Sequence, residues 1–120
     1  MDFKKPISAK RKIGNDAEMV AVEFLKKNGY KIVEKNFNTR FGEIDVIALD
    51  GDTLAFVEVK YRKSADFGNP FDAIGFHKKA RLRKTAWCYV KKYGMSNADL
   101  RFDVVSILDD KIDLLRNAFV

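Results

Sequence analysis

Two prolines, one histidine and a single cysteine stand in this 120-residue chain, and no apolar run approaches the ~18 residues that a membrane-spanning helix needs. The N-terminus also lacks an apolar segment of the kind a secretory signal uses. These absences lead us to expect a soluble, cytoplasmic protein with no membrane partner. Cys88, among Trp87, Tyr89 and Val90, has no second thiol to pair with and reads as a small apolar side chain in a reducing compartment. With His77 as the sole histidine and no recognisable Cys-His pattern, catalysis by a thiol has no support. Acid is missing where base is dense: from Phe76 to Tyr93 there are seven Lys or Arg and no Asp or Glu.

What the chain has in quantity is apolar surface and positive charge. Hydrophobic side chains make up 47% of it, enough to bury a core, and the length is near the commonest single-domain size, so one domain is expected. The net charge is +6 and the isoelectric point about 9.4. Lys4, Lys5, Lys10, Arg11 and Lys12 against Asp2 alone give residues 1–12 the composition of a flexible basic arm, with the folded domain running from 13 to 120. Ala17, Val20, Ala21, Phe24 and Leu25 recur at helical spacing and Asn28-Gly29 supplies a stop, which predicts a helix over 15–27. Lys31 to Asn36 reads as a strand, Ile44 to Leu49 and Thr53 to Lys60 as a hairpin, and Arg101 to Leu108 and Lys111 to Leu115 as two closing strands. Between them, Leu82, Ala86, Tyr89, Val90 and Tyr93 line one face of a second helix. This order predicts an α/β fold with a mixed central β-sheet of about five strands flanked by helices.

The hairpin carries charge where apolar side chains would suffice. With Asp50-Gly51 as a two-residue loop, the pairs are Leu49–Asp52, Ile47–Leu54, Asp45–Phe56 and Glu43–Glu58. The two-residue period of a strand then sets Glu43, Asp45, Glu58 and Lys60 on one face. Glu43 would face Glu58 at roughly 4.5–5.5 Å between Cβ atoms, with Asp45 on the diagonal. Carboxylates this close destabilise the hairpin and raise one another's pKa unless a cation sits among them, and one lysine does not balance them. A hard divalent cation would, and oxygen donors without His or Cys favour Mg²⁺ or Mn²⁺ over zinc. The second helix adds Lys78, Lys79, Arg81, Arg83, Lys84, Lys91 and Lys92, and Arg62 and Lys63 follow directly on Lys60. Such a face tracks a phosphate backbone, with Lys78, Lys79, Arg81 and Arg62 as the expected contacts.

Asp45, twelve intervening residues and then Glu58-Val59-Lys60 resemble the Asp and Glu-x-Lys signature of the restriction-endonuclease-like nuclease superfamily, which includes archaeal Holliday-junction resolvases. A longer string resembles the YraN family of small nuclease-like proteins over about residues 13–120: Gly14, Glu18, Gly29-Tyr30, Asn36, Gly42-Glu43-Ile44-Asp45, Phe56-Val57-Glu58-Val59-Lys60, Phe67-Gly68, Lys78, Leu82, Arg101-Phe102-Asp103-Val104-Val105 and Ala118-Phe119. Ala17 stands where a Gly is expected and Ile44 where the superfamily's name has Pro; neither change removes a candidate ligand. The resemblance implies a restriction-endonuclease-like fold and a metal-dependent endonuclease acting on DNA, with branched, flapped or single-stranded forms as substrates. Junction-cutting relatives act as dimers, which makes a homodimer one option, and the sequence leaves the oligomeric state open. Asp45, Glu58, the Val59 carbonyl and Glu18 would then hold one or two Mg²⁺ ions, with Glu43 in support and Lys60 orienting or deprotonating the attacking water.

Each of these residues has a plainer reading. Glu18 follows Asn15 by three, as in a capping box. Glu43 fits a hairpin-edge acid paired with Arg40 or Arg62, and Lys78 fits one more surface cation. Asp45, Glu58 and Lys60 fit a structural salt-bridge cluster, although burying such a set costs more than its pairing usually returns. Two functions therefore stand side by side: Mg²⁺-dependent phosphodiester hydrolysis, or a non-catalytic nucleic-acid-binding or scaffold protein on the same fold.

Overall fold

The computed structural model describes residues 9–62 and 75–119. In chain order the elements are α1 (Ala9–Lys27), β1 (Lys31–Thr39), β2 (Gly42–Asp50), β3 (Thr53–Arg62), α2 (Phe76–Lys92), β4 (Asp99–Leu108) and β5 (Lys111–Phe119). The strands form one five-stranded sheet in sequence order. Neighbours are antiparallel except β3 and β4, a parallel pair that needs a crossover, and the segment containing α2 supplies it. This is the mixed-sheet α/β architecture expected from the sequence.

Apolar patterning explains the layers. β2 and β3 are central and covered on both faces, so they read as nearly continuous apolar runs. Ile47, Leu54 and Phe56 pack towards α2, where Leu82, Ala86, Tyr89 and Val90 meet them. Val46, Ala48, Ala55 and Val57 pack towards α1, against Ala17, Ala21, Val22 and Leu25. Each large side chain so buried contributes about 1.5–3 kcal/mol. Both helices are turned slightly from their expected stripes. Ala17 and Ala21 bring α1 close to the sheet and Val22 into the core, which leaves Val20 43% exposed. On α2, Thr85 is buried in place of Tyr93; its hydroxyl bonds back to the Arg81 carbonyl at 2.8 Å, which lets a polar residue occupy an apolar position.

Two boundaries differ from expectation. α1 takes in residues 9–12, assigned above to a flexible arm, because Ala, Lys and Arg there are good helix formers; residues 1–8 of that arm lie outside the described residues. A helix starting at Ala9 leaves Asn15 more than a turn inside it, so the capping-box reading of Glu18 fails. The hairpin turns one residue later than expected, on Gly51-Asp52, with Asp50 paired to Thr53. Gly51 takes the left-handed φ of 63°, which glycine adopts without a Cβ clash. Asp50 stays in the strand, its carboxylate held by Arg101 at 2.7 Å and Arg116 at 3.1 Å. The pairing therefore slides by two residues, which keeps each side chain on its expected face near the turn.

A polar clamp closes this end of the sheet. Asp103, fully buried, accepts bonds from Arg101 Nε and Nη2 at 2.8 and 2.9 Å, the Tyr30 hydroxyl at 2.6 Å and the Asn117 backbone N–H at 2.9 Å. Burial and this bond push the Tyr30 hydroxyl up to about 12. The Arg101-Phe102-Asp103 string thus has a structural role, tying β1, β2, β4 and β5 together.

Candidate active site

At its other end the β2–β3 ladder stops at Val46↔Val57. One step further, Asp45 lies across from Glu58. The Val59 backbone N–H, facing β2, donates to Asp45 Oδ2 at 2.8 Å. On the opposite flank, Asn36 lies between the pairs Lys35↔Val46 and Phe37↔Ile44 and has a φ of 56°. A left-handed residue within a strand breaks the pleat. Val46 accordingly packs towards α1 and Ile44 towards α2, although regular alternation would put residues two apart on one face. Asp45 sits at this break, acted on by Glu58 of β3 and at longer range by Glu18 of α1.

Glu58 is 7% exposed and is ion-paired with Lys78 of α2. Lys60 follows two residues later on the same strand face. Burial, then the charge of Glu58 and a hydrogen bond with it, push the Asp45 carboxyl up to about 8, against the lowering influence of the Val59 N–H. Burial and then the positive charge of Lys78 lower the Lys60 pKa, opposed by Glu58. An acid raised and an amine lowered within one cluster is the pattern that proton-transfer chemistry uses.

Glu18 approaches from α1. Its carboxylate is hydrogen-bonded by the Asn36 side chain, and burial raises its pKa, with Glu43 and Glu58 adding to the rise. Glu43 is exposed; its charge acts on Glu18, and it borders the hollow that Lys78, Arg81 and Leu82 of α2 line. Of the four residues expected on one face, Asp45, Glu58 and Lys60 act on one another here, and Glu43 stands exposed at the rim. Among the described residues no three His, Cys, Asp or Glu side chains gather as a metal cage; the acids in contact are Asp45 and Glu58, with Glu18 acting on both at longer range.

The cations divide similarly. Lys78 and Arg81 line a small hollow of about 60 Å³ with Gly42, Glu43 and Leu82. Gly42, at a φ of 150°, brings the β1–β2 turn against α2, where a Cβ would lie 3.6 Å from Thr85 Oγ1. Arg62 ends β3 and adds to the positive field on Lys60. Lys79 points elsewhere, its ammonium 5.7 Å from the centroid of the Phe119 ring. Sequence reasoning gave Asn36 no role; its tolerance of left-handed backbone was the available signal. The pairing of Lys78 with Glu58 links two elements across the fold, and no local spacing announces it.

The model of the uncharacterised protein family UPF0102 matches residues 17–107. A UPF0102 protein of Caldicellulosiruptor saccharolyticus is 44% identical over 116 residues, 92% of this chain and 98% of its own. Another, from Thermodesulfovibrio yellowstonii, is 42% identical over 92% of this chain and 98% of its own. Among solved structures, the crystal structure of SSO0001 superposes with a TM-score of 0.51 at 19% identity, over 92% of this chain and 52% of that one. A repair endonuclease from Pyrococcus abyssi gives a TM-score of 0.47 at 20% identity, over 92% and 42%. This chain spans about half the length of those solved structures, and the likeness to SSO0001 is one of fold alone, in keeping with the five-stranded mixed α/β sheet. By family model and by identity over nearly its whole length, the chain belongs to UPF0102, the YraN family that its motifs resemble.

Proposed function

We propose that this protein is a metal-dependent nuclease that hydrolyses phosphodiester bonds in DNA. The observation that carries the reading is the contact between the Asp45 and Glu58 carboxylates where the β2–β3 ladder ends, with the Lys60 amine beside them. Two acids forced together and away from water are short of positive charge, and their oxygen-only donors fit a hard ion such as Mg²⁺ or Mn²⁺. Asp45, Glu58 and the Val59 carbonyl would hold it, with Glu18 adding charge from α1. Bound there, such an ion supplies a lowered pKa for a water and neutralises charge on the scissile phosphate. Lys60, its pKa lowered by burial and Lys78, is better able to exchange a proton near neutral pH and stands where it orients the attacking water. Lys78, Arg81 and Arg62 hold phosphate oxygens, contacts that carry little sequence information. Branched, flapped or single-stranded DNA is the substrate class this reading adopts, with the protein acting in the cytoplasm. Among the described residues no helix is long and apolar enough to cross a membrane.

One observation favours a second reading. The Lys78 ammonium already compensates Glu58, and no third acid completes a cage among the described residues, an arrangement that a non-catalytic binding or scaffold protein would also tolerate. Incubating the protein with duplex, branched and single-stranded substrates in Mg²⁺, Mn²⁺ or EDTA separates the two. Metal-dependent products from the wild type that are absent with Lys60→Ala support the nuclease. Binding without cleavage under every condition supports the alternative.

A further inference from the structure

α2 carries three cations and an indole at an unbroken three-residue spacing: Lys78, Arg81, Lys84 and Trp87. Three residues turn an α-helix through about 300°, so each member lies about 60° short of the one before, and the row winds around the helix while rising about 4.5 Å per step. It begins at Lys78, half-buried and paired with Glu58. It passes Arg81 at the hollow shared with Gly42 and Glu43. Lys84 comes next, its ammonium 5.5 Å from the centroid of the Phe41 ring, which also carries the Arg40 guanidinium at 4.9 Å. The row ends on the outward face at Trp87, 53% exposed. Phe76, 77% exposed, and Lys91 fall on the same outward face by helical spacing.

Charge selects the partner. α2 contains no acid, so only an anion is drawn to it, and a row of cations this long suits a polyanion. The exposed indole then selects among polyanions. A duplex offers its phosphates but keeps the faces of its bases stacked inside, whereas a single strand offers phosphates and base faces together. We propose that α2 is a track for single-stranded nucleic acid, with phosphates on Lys78, Arg81, Lys84 and Lys91 and an unpaired base stacked on Trp87, leading the strand towards Asp45 and Glu58. This inference rests on the reading of the site as one that acts on nucleic acid, and it narrows the substrate to forms with an unpaired segment.

Trp87 is the only tryptophan, so its fluorescence reports directly on the track. With the full chain in EDTA, oligothymidylate should quench it, with affinity falling as salt rises, while a blunt duplex of equal length leaves it unchanged. Trp87→Ala should weaken binding of the single strand by roughly ten- to hundredfold, judged by polarisation of a labelled oligonucleotide, and Trp87→Phe should retain most of it. Because the side chain is exposed, both variants should melt like the wild type. Asp45→Asn should be quenched as the wild type is. Quenching with no cleavage of any substrate counts against the nuclease reading and leaves the track standing. A fluorescence that ignores the oligonucleotide, responds equally to blunt duplex, or responds only to anionic phosphatidylserine vesicles overturns the track, as does undiminished binding by Trp87→Ala.

Discussion

The Val59 backbone N–H donates to the Asp45 carboxylate at 2.8 Å, where β2 and β3 have ceased to pair through their backbones. A side chain therefore takes over from the ladder, and it is held by the strand that also carries Glu58 and Lys60. The hydrogen bond favours the ionised acid, while burial and Glu58 oppose it more strongly. Asp45 is thus fixed in direction yet left short of a cation.

The first prediction follows from that imbalance. Asp45 has its pKa moved from 3.8 to about 8, so between those values the metal-free folded state keeps a proton that the unfolded chain has released. Wild-type stability should fall as pH rises from about 4 to about 8, since the unfolded state then binds fewer protons than the folded one. Asp45→Asn removes this titration and should be the more stable protein at pH 8, by a few kcal/mol at about 1.4 kcal/mol per pH unit. Urea denaturation across pH in EDTA measures both, and a wild type that gains stability relative to the variant over that window would refute the prediction.

Lys78 and a divalent ion compete for Glu58. Lys78→Gln should tighten Mg²⁺ binding, read by calorimetry, while the slope of log affinity for single-stranded DNA against log salt falls by about 0.7, the value for one lost phosphate contact. Unchanged Mg²⁺ affinity would show that the ammonium does not stand in for the metal.

The clamp around Asp103 is structural; Asp103 pairs with Val57, next to Glu58, and its carboxylate is taken up by Arg101, Tyr30 and Asn117. Asp103→Ala removes the buried carboxylate to which all three donate, and should cost about 3–5 kcal/mol in denaturant unfolding. If stability falls by less than about 1 kcal/mol, Asp50 alone satisfies Arg101 and the clamp is overstated.

Gly42 is held at a φ of 150°, a conformation that side chains strain to adopt. Gly42→Ala should cost about 1–3 kcal/mol, through the backbone, since the added Cβ would meet Thr85 at an ordinary 3.6 Å. A neutral effect in thermal melts would mean that the β1–β2 turn relaxes freely.

The element order was legible, and Asp45, expected on the diagonal from Glu58, stays on the face of Glu58 because period-2 patterning survives a slip of two residues. Asp-Gly announced the hairpin, but which residue takes the left-handed position was decided by Asp50 being held in the strand by Arg101 and Arg116, partners far away in sequence. Glu43 was expected opposite Glu58, but the slide by two residues sets Asp45 there instead, and a hairpin read in isolation contains no sign of it. Thr85 was unreadable as core because its hydroxyl is satisfied by the preceding turn of its own helix.

Cleavage of an end-labelled, partly single-stranded DNA in Mg²⁺, set beside the binding of the same DNA in EDTA, tests the central claim most directly when wild type and Asp45→Asn are compared. The account predicts product from the wild type only with metal, a loss of at least about a hundredfold in the variant, and equal DNA binding by the variant in EDTA, where metal-free Asp45 already keeps its proton below about pH 8. Product formed at equal rates by both proteins, or none from either while both bind the DNA, would contradict it.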